Sequence, residues 1–71
     1  MSAVVSDDKY NMIPRGAWFI RVNGDVLMEG ARPRIFPAER HAKNSAASLN
    51  ESPVNINLNL KFSHHRKPLV D

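Results

Sequence analysis

Cysteine is absent from this chain of 71 residues, and no apolar run in it approaches the length of a membrane span. Such a span needs about 18 consecutive apolar residues. Without cysteine, neither a disulfide framework nor a thiolate zinc site holds the fold together, which fits a reducing compartment. The segment from Met1 to Lys9 also lacks the basic start and the apolar stretch of a secretory signal. The sequence therefore predicts a small cytoplasmic domain without a membrane segment.

Groups that perform catalysis are few and scattered. The histidines are His41, His64 and His65. Adjacent histidines point in opposite directions in an extended chain, and no cysteine or paired carboxylate completes a metal shell. The acidic side chains considered for acid–base work stand at Asp7, Asp8, Asp25 and Glu29. The glycines, at Gly16, Gly24 and Gly30, do not form a phosphate-binding loop. We therefore expect no enzyme, no cofactor, no bound metal and no small-molecule substrate.

Three segments differ in composition. Residues 1–15 have little periodicity and are predicted to be a flexible arm, with Tyr10, Met12 and Ile13 available to dock. Residues 16–63 hold the apolar patterns and are predicted to form one domain. Residues 64–71 are basic and are interrupted by Pro68, so we expect a disordered tail.

The stretch from Ala17 to Gly30 is typical of a β-hairpin, because β-prone residues flank an Asn23-Gly24 turn signal. A two-residue turn would place Trp18 opposite Glu29 and so mix a charge into the apolar face. A three-residue loop over residues 22–24 separates the faces more cleanly and is preferred. Its pairs are Ile20 with Val26, Trp18 with Met28, and Arg21 with Asp25.

A helix and a last strand follow the hairpin. The Ile35-Phe36-Pro37 segment opens a helix predicted from Pro37 to Leu49, whose alanine stripe would pack closely on a sheet. Residues 54–63 alternate strictly between apolar and polar side chains, which predicts a half-buried strand.

The predicted fold is α+β: a three-stranded antiparallel sheet in β-β-α-β order, with strand order 2-1-3 and one helix on one face. Its core face is predicted to hold Trp18, Ile20, Val26, Met28, Val54, Ile56, Leu58, Leu60 and Phe62.

The predicted fold leaves one sheet face open, with Phe19 and Leu27 as cross-strand neighbours in an apolar patch. An apolar patch with a polar rim is typical of a protein-binding site. The arm would cover the same patch if it folded back. The stretch from Val54 to Leu60 would form an edge without charge or proline, which either accepts a partner strand or is kept soluble by its asparagines and by Lys61.

A basic stripe offers a second kind of partner. The balance of ten Lys and Arg against seven Asp and Glu gives a net charge of +3, which favours acidic partners. Candidate nucleic-acid contacts are Arg32, Arg34, Arg40, Lys43, Arg66 and Lys67. Such contacts to phosphate would give salt-dependent affinity; a solvated basic face is the structural alternative.

The layout from Ala17 to Leu49 resembles small phage-encoded proteins that bind the host's RNA polymerase or other machinery. A Trp-led strand, an Asn-Gly turn and an alanine-striped helix opened by Ile35-Phe36-Pro37 carry this resemblance. It implies a non-catalytic regulator in the host cytoplasm that binds polymerase or an associated factor and modulates termination or promoter use. An inhibitor of another host protein is the related alternative. The candidate protein-binding residues are Tyr10, Met12, Ile13, Arg15, Phe19, Arg21, Leu27, Arg32 and Arg34.

Overall fold

The computed structural model describes residues 5–70, so residues 1–4 of the predicted arm and Asp71 of the predicted tail lie outside the described residues. The elements in chain order are α1 (Val5–Asn11), β1 (Trp18–Val22), β2 (Asp25–Val26), β3 (Met28–Glu29), β4 (Arg32–Pro33), β5 (Ile35–Phe36), α2 (Glu39–Glu51), α3 (Pro53–Asn57) and β6 (Phe62–Arg66). The predicted α+β class with an antiparallel sheet is confirmed.

Strand β1 is the centre of the main sheet. On one side it pairs antiparallel with β6 along its whole length, from Trp18 opposite Arg66 to Val22 opposite Phe62. On the other side β2 and β5 share the edge, each pairing with one end of β1. The predicted order, with the first strand between the second and the last, is therefore confirmed.

The hairpin register differs from the preferred prediction. Val22 lies opposite Asp25, and Asn23 and Gly24 both have positive φ, 51° and 92°, as a two-residue type I′ turn requires. The charged Glu29, which argued against this register, does not lie opposite Trp18, because it pairs with Arg32 instead. The chain leaves the sheet after Leu27, forms the small β3–β4 hairpin, and returns as β5 with Phe36 opposite Trp18.

The period-two segment is not a single strand. Its first half is the short helix α3, which begins with Pro53 at a position where the missing N–H of proline has no helical partner to lose. The strand itself starts at Phe62, so the predicted strand over residues 54–63 and its edge from Val54 to Leu60 are wrong. Three apolar residues predicted for the core are exposed: Val54, Ile56 and Leu58.

The predicted tail takes part in the fold. Residues 64–66 belong to β6, and Lys67 is buried beyond its end. The N–H of Lys67 donates to the carbonyl of Ala17 at 2.9 Å, and the N–H of Gly16 donates to the carbonyl of Lys67 at 2.8 Å. The prediction of disorder from residue 64 is therefore wrong as far as Lys67.

Both faces of the sheet are covered. Under α2 lies a cluster formed by Ile20, Phe36, Ala42, Ala46 and Phe62. This confirms the close packing of an alanine-faced helix. On the opposite face, Ile13 from the arm packs with Phe19 and Val26. Because the turn is one residue shorter than predicted, Val26 and Met28 lie on this second face and Leu27 lies under α2.

Candidate protein-binding surfaces

The predicted open patch of Phe19 and Leu27 is not present. Phe19 is 2% exposed, and Leu27 packs with the α2 cluster on the other face. Phe19 and Ile13, the latter at 1% exposure, are therefore core residues of the predicted binding set, and Leu27 is partly buried. The alternative, in which the arm folds back over this face, is what the structure shows.

The arm is fastened by Lys67. Its ammonium group donates to the carbonyl oxygens of Ile13 at 2.8 Å and of Tyr10 at 3.1 Å. The Tyr10 carbonyl, in the last turn of α1, also accepts from the N–H of Ile13 at 3.0 Å. The ammonium group adds a charged donor at the negative end of the helix dipole. The Tyr10 ring meets Phe19 edge-on, with 5.8 Å between centroids. Because Lys67 is buried in this contact, it is not available to nucleic acid as predicted.

A groove lies beside the docked arm. Its lining comes from the arm and the β4–β5 segment: Met12, Pro14, Arg32, Pro33 and Ile35. The volume is about 380 Å³, and four of the five lining side chains are apolar. We call this surface the arm groove. It brings together the predicted residues Met12 and Arg32, which are 20 positions apart in sequence.

Arg21 and His65 lie on the arm side of the sheet. The Arg21 guanidinium lies 5.5 Å from the ring centroids of both Tyr10 and Phe19 and donates to the carbonyl of Gly24 at 2.8 Å. The His65 ring stacks on Phe19 at 5.7 Å. Partial burial, together with the charges of Arg21 and His64, lowers the pKa of His65 below its usual value. Arg21 is thus engaged in holding the arm face together.

A second group combines arginines with aromatic rings near the start of α2. Trp18 and Phe36 are cross-strand neighbours. The Arg66 guanidinium lies 5.9 Å from the Trp18 ring, and that of Arg34 lies 5.1 Å from the Phe36 ring. We call these four residues the arginine–aromatic row. Arg34 therefore belongs to a different group from Arg32, although one proline separates them in sequence.

The remaining predicted residues are exposed. Arg15 follows the groove residue Pro14, and Arg40 and Lys43 are exposed on α2. The predicted basic stripe is thus divided among the groove, the arginine–aromatic row, the helix surface and the buried Lys67. His64 contacts Glu39 at 3.3 Å. Within residues 5–70, no three histidine, cysteine or acidic residues are grouped to hold a metal.

Pro14, Pro33 and Ile35 were missed as groove residues by the sequence reasoning. Pro33 and Ile35 reach the groove through the β3–β4 excursion and the return of the chain to the sheet at Ile35, whereas Pro14 comes from the arm. In the described part of the chain, no helix has the length and apolarity to cross a membrane. Comparison with protein-family models, with curated proteins and with solved structures found no match.

Proposed function

We propose that this chain is a small, non-catalytic regulator that binds a partner protein through the arm groove. The observation that carries the proposal is the groove itself: an apolar depression with one arginine at its wall. Met12 and Ile35 remain 50% and 43% exposed there, although the fold has covered both faces of its sheet. Apolar surface with a polar rim favours protein over solvent as its neighbour.

The groove selects a partner by shape and charge. Its volume of about 380 Å³ accommodates one or two apolar side chains of a partner. Arg32 presents a guanidinium beside that space, which suits a carboxylate next to the inserted apolar side chain. The clamp of Lys67 on Ile13 fixes the arm wall of the groove before any partner arrives, which lowers the entropic cost of binding.

Bacterial RNA polymerase, or a factor associated with it, is the partner to test first. The motive is the resemblance of residues 17–49 to small phage-encoded proteins that bind this enzyme. In this proposal the chain acts in the host cytoplasm. It alters termination or promoter use by occupying a surface of the enzyme.

The test is a titration of the labelled chain with purified bacterial RNA polymerase, followed by fluorescence anisotropy. We expect a Kd between about 1 nM and about 1 μM. Arg32→Glu should weaken binding by about tenfold or more, because it reverses the charge at the groove. Arg40→Glu makes the same change on the exposed surface of α2 and should alter binding by less than about twofold.

A matched apolar pair tests the groove independently of charge. Met12→Ser removes an apolar lining residue, whereas Val54→Ser removes an apolar side chain of similar exposure from α3. Weaker binding for the first variant alone supports the groove. Equal binding by all four variants would show that the groove is not the docking surface, and absence of binding would remove polymerase as the partner.

A nucleic-acid-binding function is the second candidate, and the arginine–aromatic row favours it. Aromatic rings with neighbouring guanidinium groups form stacking platforms for unpaired bases. In this row the half-buried Trp18 supplies that ring, because Phe36 is buried under α2. This function predicts binding of mixed-sequence single-stranded DNA or RNA that falls steeply as salt rises. Arg34→Gln and Arg66→Gln should weaken it, while Arg32→Gln should not. Binding that is absent or independent of salt would remove this candidate.

A further inference from the structure

The outer edge of β6 carries backbone groups that β1 does not satisfy. In the pairing of these strands, Lys67 bonds Ala17 and Asn23 bonds Lys61. Hydrogen bonding alternates along an antiparallel strand, so Ser63 and His65 also direct their N–H and C=O groups toward β1. The backbone groups of Phe62, His64 and Arg66 therefore point away from the sheet.

One of these three residues is already satisfied by a side chain. Asn50 at the end of α2 donates through Nδ2 to the carbonyl of Phe62 at 2.9 Å, and its Oδ1 accepts from the N–H of Phe62 at 2.8 Å. Its amide thus takes the place of a neighbouring strand at this residue. Among the described residues, no backbone or side-chain group bonds the outward N–H and C=O of His64 and Arg66.

The border of this edge is basic. The Arg66 side chain is exposed, and His64 precedes it on the same face of the strand. On α2, Lys43 lies one turn after Glu39, which contacts His64, and two turns before Asn50, which contacts Phe62. Lys43 therefore shares the flank of the helix that borders β6. The carboxylate of Glu39, the acidic group on this flank, is engaged by His64.

We propose that the His64–Arg66 edge of β6 binds an extended, acidic segment of a partner protein, which pairs as an added antiparallel strand. Backbone hydrogen bonds to His64 and Arg66 provide the pairing, and Arg66 and Lys43 select for acidic side chains. A second copy of this chain is a poor occupant, because pairing β6 with itself would bring like charges together. This edge is on the opposite side of β1 from β5 and the arm groove.

The experiment uses two labelled synthetic peptides, one alternating glutamate and valine and the other alternating lysine and valine. Binding to the full chain is measured by fluorescence anisotropy, and amide hydrogen exchange by NMR locates it. We expect the acidic peptide to bind at least about tenfold more tightly than the basic one. At saturation the amides of His64 and Arg66 should exchange at least about tenfold more slowly. Those of Ser63 and His65 should change little, because β1 already protects them.

Three variants test the strand pairing more closely. Arg66→Pro removes one outward N–H and should weaken binding of the acidic peptide by about tenfold. Arg66→Gln keeps the N–H and should weaken this binding by a smaller factor. Asn50→Ala should tighten binding by about threefold and give the Phe62 amide new protection, because it frees that residue to pair. This gain does not depend on the fold tolerating proline.

Three outcomes would overturn the proposal: no change in exchange at His64 and Arg66, equal binding of both peptides, or displacement of the acidic peptide by a single-stranded DNA oligonucleotide that protects the same amides. Met12→Ser should leave peptide binding unchanged. The proposal for the β6 edge and the proposal for the arm groove are therefore tested independently.

Discussion

The side chain of Asn50 forms two hydrogen bonds with the backbone of Phe62, one as donor and one as acceptor. The pair joins the end of α2 to the start of β6, 12 positions later in the chain. This contact fixes where the last strand begins, because it closes the edge of the sheet at that residue.

Replacement of Asn50 should therefore destabilise the fold. Asn50→Ala leaves the part-buried N–H and carbonyl of Phe62 without their partner, and we expect a loss of about 1 to 2 kcal/mol in the free energy of unfolding. Asn57→Ala, at an exposed position of α3, is the control and should cost less than about 0.5 kcal/mol. Urea unfolding measures both. Equal losses would show that the Asn50 amide does not hold the start of β6.

Lys67 should control the docking of the arm. Lys67→Met keeps an apolar stem but removes the donor to the carbonyls of Tyr10 and Ile13. We therefore expect the free energy of unfolding to fall by about 1.5 to 3 kcal/mol. Trypsin should then cleave after Arg15 faster than in the unmodified chain. Lys61→Met, at an exposed lysine, is the control. Unchanged cleavage at Arg15 in the Lys67 variant would contradict the clamp.

Lowering the pH should destabilise the fold on the face that the arm covers, through protonation of His65. Its pKa is lowered, first by burial and then by Arg21 and His64, so the folded chain resists protonation of this ring more than the unfolded chain does. The resulting stability is present above the ordinary histidine pKa of about 6.5 and is lost as the pH falls through the folded value. His65→Gln should reduce the stability difference between about pH 8 and about pH 5.

An exposed position without a titrating side chain supplies the control for that comparison, since Asn57→Gln should leave the pH dependence of the urea midpoint unchanged. An identical pH dependence in the His65 variant would mean that this ring is not the group that titrates against the fold.

The central part of the fold follows from sequence patterns that act locally. Asn23-Gly24 sets the hairpin, because both positions require positive φ and these residue types tolerate it. Ala42 and Ala46 lie one turn apart, and both face the sheet as their spacing predicts. The antiparallel return of the last strand beside β1 was also predictable from the order of the elements.

The last strand was misplaced because, apart from the buried Phe62, its side chains make ring and polar contacts. Alternating apolar side chains predicted a strand from residue 54, but Val54, Ile56 and Leu58 lie on an exposed helical turn. The true strand is stabilised by His65 on Phe19, His64 on Glu39, and Arg66 beside Trp18. A pattern of apolar residues does not reveal a strand whose side chains pack through rings and charges.

The arm groove was only partly predictable for a similar reason. Met12 and Arg32 were candidates from composition, but what unites them is the excursion of β3 and β4 out of the main sheet. The preferred three-residue loop hid that excursion by extending the hairpin to Met28. The arm, and not the register, buries Phe19, because Ile13 packs against it on the face opposite α2.

Photo-crosslinking is the most direct test of whether a partner protein binds in the arm groove. A benzoylphenylalanine in place of Met12 is activated in nuclease-treated bacterial lysate and compared with the same group in place of Val54, an exposed residue of α3. We expect one protein adduct from position 12, absent from position 54 and suppressed when Arg32→Glu is added; purified RNA polymerase should reproduce it. Adducts of equal yield from both positions, or an adduct insensitive to Arg32→Glu, would contradict it.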